Sequence, residues 1–200
     1  MIHIKMDEAV KTQYKLLIDR FGKMIWTHKI QEKQADIYMR KAKCLKTKMA
    51  FWTVLTTTSA IMVAINQILQ FLNCEWAGNI ITALFAGISS YYVLRYKDES
   101  YESKAKENKN YAAKCRRIRN KYESLLTDIK SGGVTDLDAI AKRRDILEKD
   151  EDSLFSGEIA PHTSPEAYKE AEKALKQNKE AISEQDERAS IIPDNLRIED

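Results

Sequence analysis

Two apolar runs interrupt an otherwise charged chain: MAFWTVLTTTSAIMVAI at 49–65 and AGNIITALFAGISSYYVL at 77–94, parted by NQILQFLNCEW. The chain holds 33 Lys and Arg and 30 Asp and Glu residues, yet between 49 and 94 only Glu75 is charged. At a helical rise of about 1.5 Å per residue, each run covers the roughly 30 Å hydrocarbon core of a bilayer. The pattern predicts an all-α protein: a two-span transmembrane helical hairpin with long cytoplasmic helices from both the N- and C-terminal arms. It divides the chain into an N-terminal arm (1–48), a hairpin (49–95, with spans at 49–70 and 76–95), a C-terminal helical region (96–187) and a tail (188–200).

Helical periodicity extends into both arms. Val10, Tyr14, Leu17, Phe21 and Met24 recur at spacings that share one helix face. Gly22 lies inside that pattern and costs about 1 kcal/mol relative to Ala, which predicts a bend there. A second helix is expected from Trp26, with Ile30, Ile37 and Cys44 returning every seven residues beside Tyr38 and Leu45, running directly into the first span. After the second span, Tyr111, Cys115, Ile118, Tyr122, Leu125 and Ile129 form a coiled-coil-like seam, and the N-terminal seam is its natural partner. Ser131-Gly132-Gly133 ends this helix, and Thr135 with Asp138 reads as a capping box for the next, which carries Leu137, Ile140, Leu147 and Leu154. Ser164 and Pro165 open a last helix with Tyr168, Ala171, Leu175 and Ile182 on one face, and Ile191 and Ile192 are the tail's apolar anchors.

Charge adds an orientation. Arg40, Lys41, Lys43, Lys46 and Lys48 precede the first run, Arg95 and Lys97 follow the second, and the loop between carries no Lys or Arg. The positive-inside rule then places both termini in the cytoplasm, and Trp52, Trp76, Tyr91, Tyr92 and Tyr96 at the headgroup level. The first apolar run starts too late for a cleaved leader. A mean hydropathy of −0.50 gives no hint of a membrane, because a charged majority conceals a charge-free minority. The competing account, two core helices of a soluble protein, fits poorly with the length of the runs and their one-sided basic flanks.

Within the spans, Thr53, Thr56, Thr57, Ala60, Ala64 and Gln67 make one polar or small stripe, and Asn79, Thr82, Ala83, Ala86 and Ser90 make another. Such stripes either pack the two spans together or line water in an oligomer. No ionisable group lies in the hydrocarbon, which removes the basis for a proton relay or voltage sensor. Two helices about 10 Å across enclose no path, so conduction requires several chains.

Enzyme chemistry is not apparent. His3, His28 and His162 are scattered, Cys44, Cys74 and Cys115 form no metal or redox motif, and no phosphate-cradling or hydrolase motif occurs. No catalytic residue, metal site or cofactor is therefore expected. One basic cluster stands out: Lys114, Arg116, Arg117, Arg119 and Lys121 flank the seam of the post-span helix. It reads as a solvated or salt-bridged face, or as a contact for anionic lipid or another anionic ligand. Only Tyr111 and Tyr122 lie nearby for stacking, so nucleic-acid binding is not supported.

The arm FGKMIWTHKIQEKQADIYMRKAK leading into the first span, the short loop, and the post-span helix AAKCRRIRNKYESLLTDI together resemble the SLATT family. These are bacterial two-span effectors found in nucleotide-signalling and reverse-transcriptase-linked defence systems. The resemblance implies an antiviral, abortive-infection effector that assembles as a homo-oligomer in the inner membrane. It would permeabilise that membrane when an upstream nucleotide synthase or reverse transcriptase, or its product, signals infection. A membrane-anchored scaffold that recruits a partner without forming a pore is the alternative, and a constitutive small channel is a weaker third because no charged ring marks selectivity.

Overall fold

The computed structural model describes residues 7–57, 59–71, 75–157, 160–177 and 192–197, with the backbone alone for a few helical residues, Asn79 among them. The described residues are helical with no strand: α1 (Glu8–Thr57), α2 (Ser59–Phe71), α3 (Glu75–Glu99), α4 (Tyr101–Lys130), α5 (Leu137–Gly157), α6 (Pro165–Gln177) and a 3-10 turn at Asp194–Leu196. They fall into two compact units, Met1–Ala35 with Lys106–Asp200, and Asp36–Ala105.

In the first unit the expected pairing of the arms is present. Val10, Tyr14, Leu17, Phe21 and Met24 of α1 share one buried cluster with Tyr111, Cys115, Ile118, Tyr122, Leu125 and Ile129 of α4. Each such side chain withdrawn from water contributes roughly 1.5–3 kcal/mol. Ile140, Leu147 and Leu154 of α5 join them, whereas Leu137 stays exposed. The helix runs unbroken through Gly22, so the two helices expected in this arm are one. A side chain there would meet nothing within 4 Å, and the buried neighbours Phe21 and Met24 outweigh the entropy of one glycine.

The helix ends are settled by local chemistry. Gly132, at φ 76°, closes α4 with its N–H on the Ile129 carbonyl at 3.1 Å. At α5 the cap is Asp136, one residue later than the expected Thr135: its Oδ2 accepts from the Ala139 N–H at 3.1 Å. At α6 the expected cap holds, with Ser164 Oγ accepting from the Ala167 N–H at 3.3 Å. This connection is pinned to α1 by two buried glutamines. Gln34 Oε1 accepts from the Ser164 N–H at 2.6 Å, and the Gln31 amide donates to the Pro161 carbonyl at 3.2 Å. On α6 Tyr168 is exposed yet stacks on Trp26 of α1 at 5.5 Å between ring centroids, while Ala167 and Ala171 are buried. Ile182 and Ile191 lie outside the described residues.

A side-chain network seats α5. Glu151 is 1 % exposed and accepts from Lys23 at 3.0 Å, Arg20 at 3.2 Å and the Tyr122 hydroxyl at 2.9 Å. Burial pushes this carboxyl up, but the hydrogen bonds from Lys23, Tyr122 and Arg20 and the charge of Lys23 outweigh it and hold the group below its usual range. Burial and the facing Glu151 charge raise the Tyr122 phenol in turn. The tail reaches the same core. Ile192 and Leu196 are buried, the Tyr14 hydroxyl donates to the Leu196 carbonyl at 2.7 Å, and Lys130 donates to the Arg197 carbonyl.

In the second unit, α1 carries Ile37, Ala42 and Leu45 as its buried positions. Cys44, expected beside them, is exposed: the inward stripe passes through Ala42 and Leu45 and leaves Cys44 off its edge. Tyr38 stacks on Tyr101 with centroids 6.0 Å apart. Further along, Trp52 meets Phe85 at 5.8 Å and Thr53 Oγ1 lies 3.5 Å from Ser89 Oγ, so the end of α1 lies beside α3.

Among the described residues, one helical stretch, beginning at Trp76, is long and apolar enough to cross a membrane. The first apolar run covers the end of α1 and α2, with Thr58 between them outside the described residues. Thr56 Oγ1 bonds back to the Trp52 and Thr53 carbonyls and Thr57 Oγ1 to that of Thr53. Between α3 and α4, Ser100 takes a left-handed φ of 39°.

Candidate functional site

The surface of the second unit is dominated by large apolar side chains. Phe51, Val54, Val63, Ile68, Trp76, Ile80, Leu84, Tyr91 and Leu94 are all exposed. Exposed apolar surface on this scale marks a membrane or an interface.

With about 3.6 residues per turn, α3 presents three faces. Ile81, Phe85, Ile88, Ser89 and Tyr92 are its less exposed positions, and two of them, Phe85 and Ser89, meet α1. Ile80, Leu84, Tyr91 and Leu94 form an exposed apolar face. Thr82, Ala83, Ala86 and Ser90 form a third, also exposed, made of small and hydroxyl side chains. The stripe noticed in the sequence is thus turned away from the neighbouring helix, and contact with α1 passes through Ser89 instead of Ser90. Asn79 begins this stripe, but its side chain lies outside the described residues.

Three hydroxyls of these stripes are satisfied within their own helices. Thr56 and Thr57 bond back within α1 as described, and Thr82 Oγ1 donates to the Gly78 carbonyl at 2.8 Å. Each can therefore face lipid or another helix without an unpaired donor. Thr53 and Gln67 are exposed, and Thr53 reaches the Ser89 side chain of α3.

The basic cluster of α4 divides. Lys114, Arg117 and Lys121, three and four residues apart, line a groove of about 500 Å³ with Asp150, Ser153 and Leu154 of α5. Lys121 Nζ pairs with Asp150 Oδ2 at 2.6 Å. Arg116 and Arg119 belong to another face, toward α1. Burial pushes the half-buried His28 imidazole down, and the charge of Arg119, with Lys29 and Arg116, adds to this against Glu32. Sequence reasoning treated the five cations as one patch; the turn angle of a helix separates them. It also missed Glu151, one acid in the run EKDED, because only the tertiary packing distinguishes the buried carboxylate from its solvated neighbours.

Among the described residues no group of three or more His, Cys, Asp and Glu side chains is arranged to hold a metal ion. No curated protein and no solved structure matches the chain. The sequence profile described as SMODS and SLOG-associating 2TM effector domain family 4 matches residues 14–187, most of the chain. An exposed apolar helix able to cross a bilayer and the extent of this match lead to one assignment: the chain belongs to the SLATT family of membrane effector domains associated with defence systems.

Proposed function

We propose that the protein is a non-enzymatic effector that crosses the bacterial inner membrane twice, both termini cytoplasmic, and assembles with copies of itself to permeabilise that membrane when an upstream defence protein or its product activates it. The first span in this reading comprises the end of α1 together with α2. The observation that carries assembly is the face of Thr82, Ala83, Ala86 and Ser90. It is exposed and separate from the lipid-suited face of Ile80, Leu84 and Leu94. An inert anchor needs a single apolar surface, whereas small residues facing outward let membrane helices of neighbouring chains approach closely. The Thr82 hydroxyl on that face, paired within its own helix, tolerates either a helix or water beside it.

Expression of the full chain in bacteria carrying a potential-sensitive dye tests this. Activation should collapse the membrane potential, and Ala83→Leu with Ala86→Leu should abolish the collapse and reduce the assembled form in detergent, while insertion persists. Growth arrest with the potential intact would refute permeabilisation. Full activity after exchange of the spans for unrelated apolar helices would point to a tethered scaffold.

A further inference from the structure

The stretch of α1 that leads toward its apolar end carries cations that the fold itself does not use. Lys41, Lys43, Lys46 and Lys48 are all exposed, and among the described residues none of them forms an ion pair or a hydrogen bond through its side chain. No Asp or Glu occurs between Asp36 and Glu75, so none of the four has an acid within one turn of its own helix. The flank of α3 is built differently. Arg95 and Lys97 stand there with Asp98, Glu99 and Glu102, and Arg95 donates to Glu99 at 2.7 Å and to the Tyr91 hydroxyl at 3.1 Å. Cations on that side are balanced; those on α1 are not.

We infer that residues 41–48 of α1 bind the headgroups of anionic phospholipids. With about 3.6 residues per turn, Lys41 and Lys48 fall on one side of the buried positions Ala42 and Leu45, and Lys43 and Lys46 on the other. Lys43 and Lys46, three residues apart, are neighbours on the helix surface and can share one phosphate. The helix continues without a break to Thr57, past the exposed Phe51 and Val54. At about 1.5 Å per residue the four lysines precede Trp52 by roughly 6–16 Å, the depth at which a helix leaving hydrocarbon meets lipid phosphates. Lysine suits this place, because a flexible apolar stem carries a point charge that reaches a headgroup from several heights. Such contacts go beyond orientation: they select which lipids accompany the inserted helix. The site rests on the end of α1 entering the bilayer, as proposed above, and not on permeabilisation.

The test places the full chain in phosphatidylcholine vesicles containing traces of spin-labelled phosphatidylglycerol or spin-labelled phosphatidylcholine, and compares the motionally restricted fractions by electron spin resonance. Phosphatidylglycerol should associate about five-fold more strongly, the effect of one surface lysine contact, and the preference should shrink in 0.5 M salt, about the concentration at which exposed charges are screened. Lys43→Gln with Lys46→Gln should lower the ratio about two-fold, and the same change at all four lysines should bring it to about one. Lys43→Arg with Lys46→Arg should keep it. Lys169→Gln with Lys173→Gln on α6, an equal loss of charge elsewhere, should leave it unchanged. Carbonate extraction of the same vesicles reads insertion separately. An inserted chain with no preference, a preference insensitive to salt, or equal loss in the α6 variant overturns the lipid site alone; a chain stripped by carbonate overturns the span as well.

Discussion

Removing the cations around Glu151 should harm the fold more than removing Glu151's own charge. The carboxylate is 1 % exposed, whereas the side chains of Lys23 and Arg20 keep 58 % and 38 % of their surface in water. Lys23→Met with Arg20→Met preserves most of the apolar stems but leaves a buried anion with only the Tyr122 hydroxyl. Stranding a buried charge costs about 3–5 kcal/mol, and the surviving hydroxyl bond places this case near 3. Glu151→Gln keeps an acceptor for Tyr122 and lets both cations turn to solvent, at a cost of about 1 kcal/mol. For a chain of this size these correspond to losses of roughly 6–12 °C and 2–4 °C in Tm. The assay is thermal unfolding of the full chain in detergent, followed by near-ultraviolet circular dichroism.

The pH dependence sharpens the same test. In the native protein the Glu151 carboxyl lies below its usual value, so its stabilisation is present above the unfolded carboxylate range and lost as pH falls through the lowered folded value. Without the cations, burial is opposed only by the Tyr122 hydrogen bond and raises the carboxyl, so the double variant should recover part of its deficit as pH falls toward the unfolded carboxylate range. A Glu151→Gln protein as unstable as the double variant, or a deficit independent of pH, would refute the reasoning.

His28 titrates in a separate window. Its imidazole is pushed down by burial and by Arg119, so stability is full above the unfolded histidine range and declines as pH falls from about 6.5 toward the folded value; His28→Gln should flatten that decline in urea unfolding at successive pH values. The tail belongs to the core. Leu196→Ala should cost about 2–5 kcal/mol and Tyr14→Phe about 1, both read as lowered denaturation midpoints. Ser100 holds a left-handed backbone that a β-branched side chain resists. Ser100→Gly should be neutral or stabilise by up to about 1 kcal/mol and Ser100→Val should destabilise by a similar amount, again in thermal melts.

Much of this architecture was legible in one sequence because helical periodicity is a local property. The seam from Val10 to Met24 and the seam from Tyr111 to Ile129 each advertise one face, and their pairing required only that two apolar faces leave water together. The family profile likewise follows from sequence pattern. Caps were legible to within a residue, since Thr135 and Asp136 offer similar oxygens and only backbone geometry selects between them.

The sequence by itself determined an all-helical chain, an apolar stretch fit for a membrane and the two seams that join its arms, because composition and spacing along a helix carry that information. Tertiary structure alone decided three things: that Glu151 and not its acidic neighbours is buried, that one side of the α4 cation cluster meets α5 and the other α1, and that the small-residue stripe of α3 looks outward past Ser89. The physical reason is common to all three. A helix's own sequence shows which residues share a face, but the neighbour it packs against decides which of those faces loses water.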